Sequence, residues 1–318
     1  MSRREFLRRT AISTGAVSLA AGRIDKVFAQ SERRRPDSPL VVQVRSSHAV
    51  TTRGVHEDVL TDLLDILLKK LTGRDDAADA WRSILKPDDV IGLKFNRSAA
   101  EELATTDATL RVLVKSLQKA GFDPARMVGV EVSPAARRET GIQAPDATWS
   151  STEYDFGSGK DRLADWLDQV TAIINVPFLK THNIAGMTGC LKNLSHALVK
   201  HPAQYHANGC SPYIGDIVAL PPIQKKLRLN LVNALRAVFN KGPEASEDCI
   251  WDAGILLGGF DPVAVDTIGL QLLDQLRLTL GLPQKGDKSG SLPYLTAATA
   301  SGVGVSALFQ IELAKIKL

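Results

Sequence analysis

Short apolar runs alternate with amphipathic segments from residue 40 to residue 280, and this alternation limits the fold more than any other feature. Runs typical of buried strands occupy residues 40–44, 90–95, 127–132, 172–176, 228–232 and 254–257. Apolar residues at helical spacing predict helices over residues 56–71, 108–120, 190–200 and from 262 towards 280. Strands separated by helices usually form a parallel sheet covered on both faces. We therefore expect an α/β fold with a mainly parallel sheet, helices on both faces, and two lobes with a boundary near residue 170.

Residue types at the ends of these segments refine the prediction. Asp107 is expected to cap the helix over residues 108–120, which Gly121 ends. Asp261 followed by Pro262 is typical of an N-cap and a first helical residue. Residues 133–159 show little periodicity, which predicts an excursion from the sheet or a lid.

The N-terminus has the order of regions found in an export signal. Residues 2–8 match the twin-arginine pattern around Arg3 and Arg4, and residues 10–22 are modestly apolar but too short to span a membrane. A small-x-small cleavage site ends at Ala29. The expected organisation is a signal peptide over residues 1–29, a polar linker over 30–39 and a folded domain over 40–318.

This signal predicts a location and a first partner. We expect the twin-arginine translocation machinery to export the folded chain to the periplasm or the extracellular space. No stable membrane span is expected after cleavage. Because this route carries folded proteins, a cofactor could be loaded before export.

The charge of the mature chain argues against nucleic acid as a partner. The whole sequence has 39 basic and 35 acidic residues, but residues 1–29 hold six of the basic and two of the acidic ones. The remaining 33 of each sign cancel, so the mature chain has no overall positive field to attract phosphates.

Titratable and metal-binding side chains are concentrated between residues 180 and 210. This stretch holds four of the six histidines and two of the three cysteines. Its candidate residues are Lys180, His182, Cys190, Lys192, Asn193, His196, His201, His206 and Cys210. Three cysteines are too few for a disulfide scaffold, and whether Cys190 and Cys210 pair is left open. A reactive centre is expected here.

Further polar residues follow the predicted strands. In open parallel sheets, ligands gather beyond the carboxyl ends of the strands. Lys94, Asn96, Glu131, Lys180, His182 and Asp261 occupy such positions. They are expected at the edge of the sheet where a ligand would bind.

Several chemistries fit this set of residues. Histidines could bind a metal ion such as nickel, iron or zinc. Lys192 could be a nucleophile or a cofactor attachment point with a pKa lowered by burial. Lys180, His182 and Lys192 could hold a phosphate or carboxylate near a helix N-terminus. A purely structural role, with His201 and His206 on a polar loop, is the remaining alternative. Helical spacing places Lys192 and His196 on one face and Cys190 away from it.

Four motifs resemble the uncharacterised family DUF362. They are Gly92-Leu93-Lys94-Phe95-Asn96, Asn175-Val176-Pro177-Phe178-Leu179-Lys180-Thr181-His182, Leu191-Lys192-Asn193 and Asp261-Pro262-Val263-Ala264-Val265-Asp266. The resemblance implies a fold and a site neighbourhood, but no settled activity. Many relatives carry an added ferredoxin-like cysteine segment that this chain lacks, so no iron–sulfur cluster is expected from this chain alone.

Residues 182–192 are also similar to a stretch of the nickel-pincer lactate racemases. In that family a lysine attaches a pyridinium-type pincer cofactor, and histidines bind nickel or move the substrate proton. The similarity implies Lys192 as the attachment residue, His182 as an acid or base, and His201 or His206 as a metal ligand.

The hypothesis from sequence is an exported small-molecule enzyme that uses lysine and histidine acid–base chemistry on a small anionic ligand. His182, Lys192 and His196 are the expected catalytic residues. Ligand binding is assigned to Lys94, Asn96, Lys180, Asn193, Asp261 and Asp266, and metal binding to His201 and His206. The alternatives are a metal- or anion-binding protein without turnover and an accessory subunit of a redox complex.

Overall fold

A computed structural model describes residues 38–52 and 54–318 of the chain. The signal peptide and residues 30–37 of the predicted linker lie outside the described residues. The strands are β1 (Leu40–Arg45), β2 (Val50–Thr51), β3 (Gly54–Val55), β4 (Ile91–Lys94), β5 (Met127–Val130), β6 (Trp149–Asp155), β7 (Lys160–Ala164), β8 (Ala172–Asn175), β9 (Phe178–His182), β10 (Gly186–Thr188), β11 (Leu227–Val238), β12 (Ile250–Gly259) and β13 (Glu312–Lys317).

Nine of these strands form one central sheet, in which seven follow the order β13-β1-β12-β11-β8-β4-β5. β9 continues alongside β11 and also pairs with β10. The pairs β1/β13, β11/β8, β11/β9, β4/β8 and β4/β5 are parallel. β12 runs antiparallel to both β1 and β11, and β10 runs antiparallel to β9. The sheet is thus mostly parallel, as predicted, with antiparallel pairs that the sequence pattern did not reveal.

Helices surround this sheet. Their bounds are Glu57–Thr72, Ala77–Ile84, Ala100–Leu103, Thr106–Lys119, Pro134–Thr140, Trp166–Gln169, Cys190–Asn193, Ala207–Cys210, Tyr213–Val218, Pro221–Gln224, Pro262–Thr279 and Pro293–Ala300. Short 3-10 turns occupy Pro124–Arg126, Pro202–Tyr205, Glu247–Cys249 and Leu308–Gln310.

Two apolar cores lie on opposite faces of the sheet because strand side chains alternate between faces. Ile173, Ile255 and Leu257 pack in one core with the helix Pro262–Thr279. Ile174 and Leu256 pack in the other core with the helix Glu57–Thr72. Burial on both faces explains why these strands are mostly apolar, and helices cover both faces, as predicted.

The helix after Cys190 is much shorter than predicted. It ends at Asn193, whereas apolar spacing had predicted a helix to residue 200. The chain beyond it pairs with β7 instead: Ala164 N–H donates to the Leu198 oxygen, and Lys200 N–H donates to the Arg162 oxygen. These hydrogen bonds to β7 replace the hydrogen bonds that a longer helix would form.

The structure also differs from the sequence-based predictions for one helix cap, for residues 133–159 and for the two lobes. The helix Thr106–Lys119 begins after Thr105, so Asp107 lies inside its first turn rather than at the cap. Residues 133–159 contain the helix Pro134–Thr140 and strand β6, which pairs with β7. The structure does not confirm two lobes, because β4 and β8 pair across residue 170 within one sheet. Among the described residues, no helix is long and apolar enough to cross a membrane.

Candidate functional site

A cavity of about 600 Å³ opens at the carboxyl ends of β4, β5 and β9. This is the edge where ligands collect in α/β sheets. Chemically active side chains on its wall are Asn96, Arg97, Glu131, Lys180, His182, Lys192 and His196. Glu101, Glu102 and Glu244 add negative charge to the same wall.

Asp266 holds the N-terminus of the short helix Cys190–Asn193. Its carboxylate accepts from the backbone N–H groups of Cys190 (2.5 Å) and Leu191 (3.0 Å) at the helix N-terminus. Burial raises the pKa of Asp266 to about 7. Gly189 is needed for this approach, because a Cβ there would lie 2.2 Å from Asp266 Oδ1. Asp266 therefore positions the helix that carries Lys192, rather than contacting a ligand.

Lys94 is buried and saturated with hydrogen bonds. Its Nζ donates to the Phe95 oxygen (2.5 Å), Glu131 Oε2 (3.0 Å) and Asn193 Oδ1 (2.9 Å). Burial lowers the pKa of Lys94, and the neighbouring Glu131 carboxylate opposes this shift. An ammonium group has three protons, so no donor is left for a ligand. Lys94 is a structural residue that ties β4 to the site.

A chain of buried amides continues from this lysine. Asn193 Nδ2 donates to Asn175 Oδ1 (2.8 Å), and Asn175 Nδ2 donates to Asn230 Oδ1 (2.9 Å). Asn96 Nδ2 reaches Asn193 Oδ1 at 3.3 Å and lies on the cavity wall, while its own Oδ1 has no partner. Two asparagines were predicted to bind a ligand. Asn96 lies on the cavity wall, where it could contact one, whereas Asn193 holds Lys94 and Asn175 in place by hydrogen bonds.

Asp261 also has a structural position. It caps the helix Pro262–Thr279 through Oδ1, which accepts from the N–H groups of Val263 (2.8 Å) and Ala264 (2.9 Å). Its Oδ2 accepts from Val305 N–H at 2.9 Å. Burial raises the pKa of Asp261. The predicted cap is confirmed, and both carboxylate oxygens are used within the fold.

Lys180 lies on the cavity wall with free donor capacity. Its Nζ donates to the Ser98 oxygen at 2.8 Å, and no carboxylate lies within 4.0 Å among the described residues. Burial lowers the pKa of Lys180 to about 8, against the attraction of Glu244, Glu131 and Glu102. It remains largely charged at neutral pH and can bind an anion.

Lys192 differs from the other buried lysines in its neighbours. Only 7% of its surface is exposed, and its Nζ contacts His206 Nε2 at 3.4 Å and Cys210 Sγ at 3.9 Å. Burial lowers the pKa of Lys192 to about 8. A near-neutral pKa in a cavity is the property expected of a catalytic amine.

His182 is held as a neutral ring by the backbone that follows it. Its Nδ1 accepts from the N–H groups of Ile184 (3.1 Å) and Ala185 (3.2 Å). Burial, with Lys192 nearby, lowers the pKa of His182 to about 3. Because Nδ1 accepts, the ring proton lies on Nε2. His182 can therefore donate a hydrogen bond but is a poor proton acceptor.

His196, His206 and Cys210 form a compact group beside Lys192. A ring nitrogen from each histidine and the Cys210 sulfur lie within 4.8 Å of one another. The His196 and His206 rings meet edge to face, with centroids 4.5 Å apart. Burial lowers the pKa of His196 to about 3 and raises the pKa of the Cys210 thiol. These three residues could hold a metal ion.

His201 lies apart from this group. Its side chain is 53% exposed, and its Nδ1 lies 2.9 Å from Asp161 Oδ1. The structure thus brings His206 and His196 together and places His201 at the surface. All three cysteines are free, so Cys190 and Cys210 do not form a disulfide.

The sequence pattern indicated Cys210 only as a candidate residue and a potential disulfide partner of Cys190, and it did not indicate Asn230 or Ser98. Cys210 follows the last histidine of the cluster by four residues, which was the only available signal. Glu131 was noted at a strand end, and its backbone adds a second sign. It has φ 59°, a left-handed conformation that is unfavourable for this residue type and often occurs at functional sites.

Comparison with known families agrees with the motifs. The model of a family described as "Domain of unknown function (DUF362)" matches residues 91–271, which is more than half of the chain. The match includes every residue of the cavity wall and of the His196–His206–Cys210 group. No curated protein matches the chain.

Proposed function

The chain belongs to the DUF362 family, and we propose that it is an exported enzyme that moves a proton on a small carboxylate substrate. One observation carries this proposal: the Lys192 amine lies on the cavity wall with a pKa of about 8, and no carboxylate of the described residues lies within 4.0 Å of it. Such an amine is partly unprotonated near neutral pH and can accept a proton.

Lys180 supplies an anchor for the substrate. One of its protons is used by the Ser98 oxygen, and two remain for a carboxylate. Fixing the anion at Lys180 positions the rest of a small molecule within the cavity that Lys192 also lines.

His182 supplies the complementary hydrogen bond. Its Nε2–H can donate to an oxygen on which negative charge develops, while Nδ1 stays fixed by two backbone N–H groups. In this proposal Lys192 takes the proton and His182 stabilises the charge, whereas the similarity to the lactate racemases implied His182 as the acid or base.

The reaction class follows from these three groups. A C–H bond next to a carbonyl breaks, its proton passes to the neutral Lys192 Nζ, and the electron pair moves onto the carbonyl oxygen opposite His182. The ammonium then returns the proton. A small 2-oxo or 3-oxo carboxylate combines the carboxylate and the carbonyl that this step needs.

The carboxylates on the cavity wall limit the class of substrate further. Glu101, Glu102 and Glu244 face the same cavity as Lys180. Carboxylates repel a second anionic group but accept hydrogen bonds. The proposed substrate therefore has one carboxylate and, at its other end, hydroxyl or amine donors.

Export is proposed from the sequence around Arg3 and Arg4, which lies outside the described residues. The twin-arginine machinery would deliver the folded enzyme to the periplasm or the extracellular space.

Deuterium exchange tests this function directly. The protein is incubated in D2O with a panel of 2-oxo and 3-oxo carboxylates, and deuterium at the carbon next to the carbonyl is followed by NMR. We expect exchange with at least one member, and its loss in Lys192→Met. Lys200→Met is the matched control, because Lys200 is exposed and lies outside the cavity wall.

A second variant separates charge stabilisation from folding. In His182→Asn, the amide oxygen can accept from Ile184 and Ala185 as Nδ1 does, but no Nε2–H remains. Exchange should fall by about 100-fold to 1000-fold, the usual cost of losing one such donor. Exchange that is absent from the whole panel, or unchanged in Lys192→Met, would overturn the proposal.

A further inference from the structure

Three potential metal ligands lie close together beside Lys192. They come from separate segments: His196 follows the helix Cys190–Asn193, His206 follows a 3-10 turn, and Cys210 ends the helix Ala207–Cys210. Their ligand atoms lie within 4.8 Å of one another. In a tetrahedral zinc site, ligand atoms are about 3.4–3.6 Å apart, as follows from the metal–ligand bond lengths. To bind a zinc ion, each of the three ligand atoms would have to move by at most about 1 Å towards the others.

Backbone carbonyls already orient both histidines. His196 Nε2 lies 2.9 Å from the Tyr205 oxygen, and His206 Nδ1 lies 3.0 Å from the Pro202 oxygen. A carbonyl only accepts, so each ring donates one N–H and keeps a lone pair on its other nitrogen. On His196 this nitrogen is Nδ1, which lies 3.1 Å from Ser195 Oγ, and a bound cation would replace that contact. Metal-binding histidines are usually held in this way.

The backbone around Cys210 has an unusual conformation. Asn208, Gly209 and Cys210 have φ of 52°, 66° and 67°, so three successive residues are left-handed. This conformation is unfavourable for cysteine and persists where the surrounding structure imposes it. It places the buried Cys210 sulfur within 4.8 Å of a ring nitrogen of each histidine.

From these observations we infer that His196, His206 and Cys210 form a binding site for a divalent transition-metal cation of the zinc class. Two imidazoles and one thiolate suit a cation of borderline softness such as Zn²⁺ or Co²⁺. Three protein ligands leave a fourth coordination position for water or substrate. His196 lines the cavity, so the bound cation lies beside the cavity that the proposed reaction uses.

One variant can separate cation binding from the proposed reaction. Lys192 Nζ lies 3.4 Å from His206 Nε2, and a cation at that nitrogen would replace this contact. Lys192→Met keeps all three ligands and removes a positive charge next to them. This variant should bind a cation at least as tightly as the wild type, although it should lose proton exchange.

Cobalt titration of the chelator-treated full chain tests the inference. Co²⁺ bound by a thiolate gives a charge-transfer band in the near ultraviolet, and four-coordinate Co²⁺ gives intense visible bands. We expect both in the wild type, and we expect Zn²⁺ to abolish them. Cys210→Ser should lose the charge-transfer band, whereas the matched control Cys249→Ser should keep it.

The histidines offer an equally close pair of variants. His206→Gln should weaken Co²⁺ binding at least about 100-fold, whereas His201→Gln, five residues away, should leave it unchanged. Circular dichroism checks that each variant is folded. A wild type without the charge-transfer band, a band that Cys210→Ser retains, or equal losses in the two histidine variants would overturn the inference.

Discussion

The same residue type has different roles in this site because its neighbours differ. Lys94 and Lys192 are both buried lysines with lowered pKa values. Lys94 has an acceptor for each of its protons, including a carboxylate, so it stays in place as part of the fold. Among the described residues, Lys192 Nζ has two hydrogen-bond contacts, with His206 Nε2 at 3.4 Å and Cys210 Sγ at 3.9 Å, and both are long. Its proton is consequently the one that can be moved.

These lysines predict a narrow pH optimum for proton exchange. Lys192 must be neutral to accept a proton, so the rate should fall about tenfold per pH unit below its pKa of about 8. Lys180 must be charged to bind the carboxylate, so binding should weaken above its own pKa of about 8. The rate of exchange against pH should therefore be bell-shaped with a maximum near pH 8.

Lys180→Arg isolates one side of this profile. Arginine keeps its charge at every pH in the assay, so the fall above pH 8 should disappear while the fall below pH 8 remains. A profile that keeps both limbs in this variant would show that Lys180 does not control substrate binding.

At the scale of elements, the short helix Cys190–Asn193 organises the site. Asp266 holds its first N–H groups, and Asn193 at its end joins Lys94 to Asn175. The sequence predicted a helix here but not its length, because the competing backbone bonds come from β7, about 30 residues earlier in the chain. The early end of the helix lets the following residues turn, which brings His196 beside His206.

Gly189→Ala tests the anchoring of this helix. The new Cβ would lie 2.2 Å from Asp266 Oδ1, so either the carboxylate or the helix must move. We expect a loss of about 3 kcal/mol in the free energy of unfolding, measured by urea denaturation.

Gly73→Ala is a comparison variant that adds backbone strain without a new contact. Gly73 has φ 70° and a Cβ there would meet nothing within 4 Å, whereas Gly189 has an extended φ of −153°. The cost of Gly73→Ala should be about 1–2 kcal/mol, from the left-handed conformation only. A loss below about 1 kcal/mol in Gly189→Ala would show that the contact between Gly189 and Asp266 is unimportant.

At the scale of the whole molecule, one sheet brings together the residues that strands contribute to the site. β4, β5, β8, β9 and β11 are neighbours in this sheet, so residues 94, 131, 175 and 180 meet at one edge despite their distance in sequence. The continuous pairing of β4 with β8 makes the region around residue 170 part of that sheet.

Replacement of Arg3 and Arg4 by lysine tests export. We expect the variant to accumulate in the cytoplasm at full length, measured by cell fractionation and immunoblotting. Arg33→Lys with Arg34→Lys is the matched control, because it makes the same change outside the signal pattern. Equal export of both variants would contradict the twin-arginine route.

The local sequence determined the main elements of this protein. Apolar runs marked β1, β4, β5 and β8, and the pair Asp261-Pro262 marked the start of a long helix, because burial and capping act on near neighbours. The enrichment of histidine and cysteine also marked the region of the candidate site. Only the tertiary structure decided which of those residues meet. It joined Cys210 to His196 and His206, left His201 beside Asp161, and gave Lys94 and Asp266 structural partners from distant segments. Hydrogen bonding and burial at these positions depend on strand order and on where a helix ends, and both are set by contacts between residues far apart in the chain.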